Sequence, residues 1–149
     1  MKIPRPFIIA FLFIAFIGFV DAIFLAANHY LEAVPPCYIV QGCETVTTSS
    51  YSKIFAIPVS LIGSMHYLGL IVLSLFYIDK KKSWTLPVLF VGTSVGFIMS
   101  LWFLYVQLFI IKELCMYCLI SGFTSSVLFL ISLWLYMKRP KNIENVSLQ

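Results

Sequence analysis

Lys112-Glu113-Leu114-Cys115-Met116-Tyr117-Cys118-Leu119 stands where two apolar runs meet, Leu86 to Ile111 before it and Leu114 to Met137 after it. Only Lys112 and Glu113 separate them. Each run is long enough to cross the hydrocarbon core of a bilayer, which takes roughly 20 helical residues. The stretch therefore reads as the tight turn of a membrane hairpin. It also carries a C-x-x-C. Cysteines at i and i+3 of a helix share a face, with side-chain roots about 5–6 Å apart. That is close to the roughly 4.4–6.8 Å between Cα atoms that a disulfide needs. Cys115 is expected in the first turn of its helix, where unpaired N–H groups and the positive dipole end favour a thiolate. Lys112 adds to that effect and Glu113 partly opposes it. A redox-active pair fits the pattern, and so do two apolar cysteines that simply pack.

The composition points the same way. Of 149 residues, 61% are hydrophobic and 11% charged, against about 45–50% and about 25% in soluble domains. This is the composition of a membrane protein. The net charge of +4 comes from short basic clusters between apolar runs, which are topology signals and not a nucleic-acid surface. Four cysteines, an even number, suit two disulfides in an oxidising compartment.

Working outward, the chain divides into spans at about 7–27, 54–78, 86–111 and 114–137, a single four-helix membrane domain over residues 1–149. A basic start with Lys2 and Arg5 precedes the first span. A signal peptide is the alternative there, but the run is too long for a typical h-region and Asp21 interrupts it, so it reads as a retained helix. Asn28 to Lys53 is the one long polar connection. It holds Pro35-Pro36, Cys37, Cys43 and a Thr/Ser cluster from Thr45 to Ser52. Pro58 falls near the start of the second span, where a missing N–H costs least. Lys80, Lys81 and Lys82 make the second connector basic, and Lys138, Arg139 and Lys141 follow the fourth span.

Eight of the ten Lys and Arg residues lie in the N-terminus, the second connector and the tail. The positive-inside rule then puts both termini in the cytoplasm and the first loop and the Lys112-Glu113 turn outside. All four cysteines fall on that outer, oxidising side, although hydropathy did not require it. Redox or structural use of the cysteines becomes the expectation.

Asp21 is a carboxylate about two turns inside the first span, which marks a functional candidate unless it is a neutral helix contact. Asp21, Leu25 and Asn28 or His29 share a face, so Asp21 heads a polar stripe toward the outer surface. His66 reads as a satisfied contact between helices. Gly92 and Gly96 form a G-x-x-x-G that allows close helix approach, here expected inside the bundle. Gln107 has no role legible from the sequence.

Cys37-x5-Cys43, Ser49, the run Ile57-Pro58-Val59-Ser60-Leu61-Ile62-Gly63 and then Cys115-x-x-Cys118 resemble the vitamin K epoxide reductase family, most nearly its prokaryotic members. Gly18-Phe19-Val20-Asp21 through Asn28-His29-Tyr30 resembles that group too. The likeness covers roughly Gly18 to Met137. It implies an all-α fold: a four-transmembrane-helix bundle around a bound quinone, ubiquinone or menaquinone, with a long outer loop between helices 1 and 2. By position it implies that Cys37 exchanges with a thioredoxin-like (DsbA-like) partner, that Cys43 exchanges with Cys115, and that Cys118 faces the quinone. Ser49 matches a loop hydroxyl near the quinone headgroup, and Asp21 joins Ser49 and Cys118 as a candidate contact. Some members carry a fused thioredoxin-like domain; this chain closes after the fourth span, so its partner is expected to be separate. The expected setting is the cell inner (cytoplasmic) membrane. Nothing in the sequence identifies an epoxide substrate.

Two other readings compete. A DsbB-type quinone-linked oxidase also uses four helices and two cysteine pairs, but its C-x-x-C lies in the first outer loop, the reverse of the order here. A non-enzymatic subunit with structural cysteines or zinc is the second. Tetrahedral zinc sites typically pair C-x2-4-C knuckles, and Cys37-x5-Cys43 is wider, so no metal is expected.

Overall fold

The structure, a computed structural model, describes residues 5–39, 42–80 and 84–138. Lys2, Lys81, Lys82, Arg139 and Lys141, which contribute to the expected orientation, lie outside the described residues. Four long helices dominate: α1 (Arg5–Tyr30), α3 (Val59–Lys80), α4 (Thr85–Tyr105) and α5 (Met116–Met137). A π-helical segment, Val106–Ile111, prolongs α4. A short helix, α2 (Cys43–Thr48), lies between α1 and α3 and is followed by a two-stranded hairpin, β1 (Lys53–Ile54) with β2 (Ile57–Pro58). All four long helices are long and apolar enough to span a membrane.

Helix is the economical solution here because a bilayer offers backbone groups no water. The prolines do not interrupt it. Pro6 and Pro87 lie within the first turn of α1 and α4, where the N–H has no intrahelical partner anyway. α1 lies against α3 and α5, and α4 against the same two, giving an up-down-up-down bundle. Small residues allow these contacts. Ala15, Ala22 and Ala26 are buried along α1, and a methyl at Gly18 would collide with the Tyr67 ring. Gly92 and Gly96 face Leu70 and His66 of α3, so the G-x-x-x-G serves packing within the bundle. Phe13, Phe16, Ile98 and Phe123 point outward and are mostly exposed, as a lipid-facing surface requires.

Several polar groups inside the bundle are paired, although Asp21 Oδ2 and Thr85 Oγ1 are buried without a hydrogen bond among the described residues. Tyr67 Oη meets Ser121 O and Thr124 Oγ1, each at 2.9 Å, tying α3 to α5. Thr93 and Ser132 join α4 to α5 through their hydroxyls. Ser74 and Ser94 donate back to carbonyls one turn earlier, the usual way a lone hydroxyl is satisfied in a membrane helix.

Two helix starts differ from the sequence expectation. The second span begins at Val59 instead of Ile54. Phe55 and Ala56 both take left-handed backbone conformations, φ 49° and 67°, the geometry of a tight hairpin turn. Pro58 is thus in β2, just ahead of the helix. The fourth span begins at Met116 instead of Leu114, because Lys112 is left-handed (φ 58°) and Cys115 is extended (φ −104°, ψ 122°). The first span runs three residues beyond Ala27, to Tyr30.

Candidate functional site

The long loop leaves α1 through left-handed Glu32, and the Ala33 N–H caps the helix by donating to Asn28 O at 3.0 Å. Pro35-Pro36 extends it, and the Tyr117 hydroxyl fastens it by donating to Pro36 O at 2.9 Å. Cys37 and Cys43 are joined by a disulfide, with Cα atoms 6.2 Å apart. Gly42 seats the far side of the loop on the α4–α5 turn. A methyl there would lie 2.6 Å from Leu114 O, so only glycine permits the approach. That contact presses α2 down on the start of α5.

Cys43 and Cys115 are consequently both 0% exposed and belong to one buried cluster with Val46. Cys37 and Cys118 pack against the cluster and are half-buried. Cys115 and Cys118 are free thiols. Only one of the two expected disulfides is therefore formed.

Cys115 is not in the first turn of α5, as the C-x-x-C pattern suggests, but is the residue before it. Its sulfur closes no full capping hydrogen bond. Even so, its thiol is brought down from the usual cysteine range to about 7. The Cys118 thiol, donating to it, is the main cause; the N–H groups of Cys118 and Tyr117 add to this, and burial opposes it. Its backbone is held at both ends. The N–H donates to Gln107 Oε1 at 2.9 Å, and the carbonyl accepts from the Leu119 N–H at 3.0 Å.

Below this cluster lies a cavity of about 260 Å³ between the four long helices, roofed by α2 and the segment after it. Leu25, Ile62, Val95, Met99 and Phe103 give it apolar walls; its polar groups include His29, Thr47, Ser52, His66, Ser121 and Ser125. Cys118 lines it, and Cys115 is not among its lining residues.

The remaining candidates are distributed unevenly. Asp21 is absent from the cavity wall; it lies within electrostatic reach of Cys115 and Cys118. Its Oδ2 is buried and has no hydrogen-bond partner among the described residues. Ser49 is likewise not in the wall, and its hydroxyl donates to Val46 O at 2.7 Å. Thr47 and Ser52, its neighbours in the loop, reach the cavity instead. His66 is not the satisfied contact expected of it. Its imidazole lies over Gly96, where a methyl would stand 2.7 Å from Nε2, and it faces the cavity. Among the described residues its ring meets only Tyr67, edge-on at 5.9 Å.

A model of the vitamin K epoxide reductase family matches residues 9–133, which includes all four cysteines and nearly the whole bundle. The chain belongs to the vitamin K epoxide reductase family. It is thus a multi-pass membrane protein of a thiol–disulfide oxidoreductase family. For such a family member, a loop disulfide seated on a free C-x-x-C is a chemically meaningful state. One pair is oxidised, the other holds two electrons, and the buried sulfurs of each share one cluster. Thr47, Ser52, His66, Ser121 and Ser125 were not legible as site residues. The signal in the sequence is Gly96, a glycine one turn after Gly92 that opens room for the His66 side chain opposite.

Proposed function

We propose that this vitamin K epoxide reductase family member is a quinone-linked thiol–disulfide oxidoreductase that reoxidises a separate thioredoxin-like partner. One observation carries the reading. Exposure and position order the sulfurs from solvent to bundle interior: Cys37 half-buried on the loop, Cys43 and Cys115 fully buried together, Cys118 in the cavity wall. A partner thiolate attacks Cys37 and displaces Cys43, and the partner's second thiol then releases Cys37, leaving the partner oxidised and the loop pair reduced. When the inner pair is a disulfide, Cys43 attacks Cys115 and releases Cys118. Cys37 then attacks Cys43, re-forms the loop disulfide and releases Cys115. A thiol with a pKa of about 7 is a good leaving group, so the second exchange runs toward the arrangement seen here.

The cavity suits a quinone headgroup. Its walls are apolar, hydroxyls and imidazoles stand at several points, and a reducing sulfur opens into it. At about 260 Å³ it is smaller than the roughly 300–1,000 Å³ pockets that enclose whole drug-sized ligands, so a long isoprenoid tail would lie among lipid. Bound there, a quinone supplies an acceptor for two electrons and the two thiol hydrogens. His66, Ser121 and Ser125 orient the ring, and Cys118 is the sulfur in reach. Purified protein given a reduced thioredoxin-like donor should reduce ubiquinone or menaquinone; no reduction with either quinone overturns the reading.

Asp21 fits as the group that holds a proton during exchange between Cys115 and Cys118. A buried carboxylate without a hydrogen bond is costly to keep, so Asp21→Asn should leave the protein folded and inserted. Turnover should fall by about 10²-fold, the lower range for general acid–base catalysis. Unchanged turnover would reduce Asp21 to a helix contact.

We place the protein in the cell inner membrane, both termini cytoplasmic and the cysteines on the outer face. A membrane-impermeant thiol reagent, applied to intact cells after reduction, should label Cys37. A need to permeabilise the cells first would reverse the orientation.

A further inference from the structure

Gln107 is 3% exposed and sits in the second position of the π-helical segment. It lies near the outer end of a span, where a buried amide is costly unless bonded. Its Oε1 accepts the Cys115 N–H, eight residues on, at 2.9 Å. A backbone N–H can only donate, so the amide oxygen is the atom that faces it. The hairpin explains why a side chain is needed. Left-handed Lys112 ends the helical ladder and Cys115 is extended, so no helical carbonyl is available to the Cys115 N–H. The π-helical segment departs from α-helical register just where Gln107 must face the turn; such segments occur often at functional sites.

We propose that Gln107 is a positioning residue for Cys115: its amide oxygen pins the Cys115 backbone so that the sulfur stays between Cys118 and Cys43. The inference rests on the relay reading above but makes a separate claim, that the pivot of the relay is set from α4. With its N–H held by α4 and its carbonyl by Leu119, Cys115 has only its side-chain torsion free to carry the sulfur from one partner to the other. The exchange it serves is the one already balanced: one sulfur–sulfur bond forms at Cys115 as another breaks, and the displaced sulfur leaves as a thiolate. The titratable groups facing Cys115 are Cys118 and Tyr117 of α5 and Asp21 of α1, with Cys43 of α2 held in the disulfide. The Cys118 thiol and the N–H groups of Tyr117 and Cys118 favour the thiolate only while the sulfur remains beside them.

The test uses the full chain in detergent or lipid discs and needs no quinone. Formation of the Cys115 thiolate is followed across pH by ultraviolet difference absorbance, which reads ionisation of a buried sulfur without reagent access. Gln107→Leu, which removes the acceptor at similar size, should move the midpoint from about 7 toward the ordinary thiol value near 8.5. That lowers the thiolate fraction at pH 7 about tenfold. In a Cys118→Ala background the same change should lower the yield of Cys43–Cys115 cross-link several-fold, while the Cys37–Cys43 bond still forms. Gln107→Glu keeps an acceptor at the same distance and should restore the cross-link; it also keeps the test decisive if the leucine variant does not fold. Wild-type midpoint and cross-link in Gln107→Leu, or no rescue by Gln107→Glu, would overturn the proposal. A protein that shows these shifts yet reduces no quinone would separate the positioning role from the proposed reaction.

Discussion

Cys118→Ala should reduce quinone at background rate and accumulate a disulfide between Cys43 and Cys115 within one chain. The chemistry sets the outcome. Cys115 carries a thiol with a pKa of about 7, so about half is thiolate at neutral pH, and it shares a buried cluster with Cys43. It attacks Cys43 and displaces Cys37. This is the reverse of the exchange proposed above, and in the intact chain Cys118 ends it by closing on Cys115; without Cys118 that exit is closed and the mixed disulfide persists in exchange with Cys37. Peptide mapping under non-reducing conditions reads the linkage directly. A Cys37–Cys115 linkage, or quinone reduction above background, would show that the order of sulfurs proposed here is wrong. The protein should remain folded, because Cys118 borders a cavity and its loss removes little packing.

Cys37→Ala should separate two kinds of donor. A reduced thioredoxin-like protein should no longer drive quinone reduction. A small dithiol should still do so within a factor of a few. Cys37 is the half-exposed sulfur of the loop pair, and exposed Tyr38 and Ile39 follow it, giving a protein an apolar surface to land on. Cys43 is fully buried and out of a protein's reach. Removing Cys37 opens the cross-link that holds the loop, and a small reductant can then reach Cys115. Steady-state turnover with the two donors side by side measures the difference. Equal loss with both donors would mean that Cys37 supports the fold of the loop and does not receive electrons.

The bundle was legible because apolar runs of span length leave a membrane chain few choices. The cysteine order was legible because chemistry-bearing residues were few. The hairpin at Lys53–Pro58 was not. Ile54, Phe55, Ala56 and Ile57 read as the start of an apolar helix, and left-handed backbone at Phe55 and Ala56 has no glycine or asparagine to announce it. The fourth helix starts two residues later than its apolar run suggests, leaving Cys115 just ahead of it, because the break depends on Lys112, a residue with no turn preference. Gln107 had no sequence-level role because its partner lies across a turn whose geometry only the folded chain defines. His66 was read as a structural contact because glycine at position 96 says that something fits there, not what faces it.

The burial of Cys43 and Cys115 acts as insulation. A small thiol or oxidant that reached an open disulfide would divert its electrons. Cys43 and Cys115 meet no solvent, so in the relay proposed here electrons would enter at Cys37 and leave through the cavity wall at Cys118. A variant that lifts the loop, such as a side chain at Gly42, would not cut this wire but would strip it, and its mark would be leakage to small thiols.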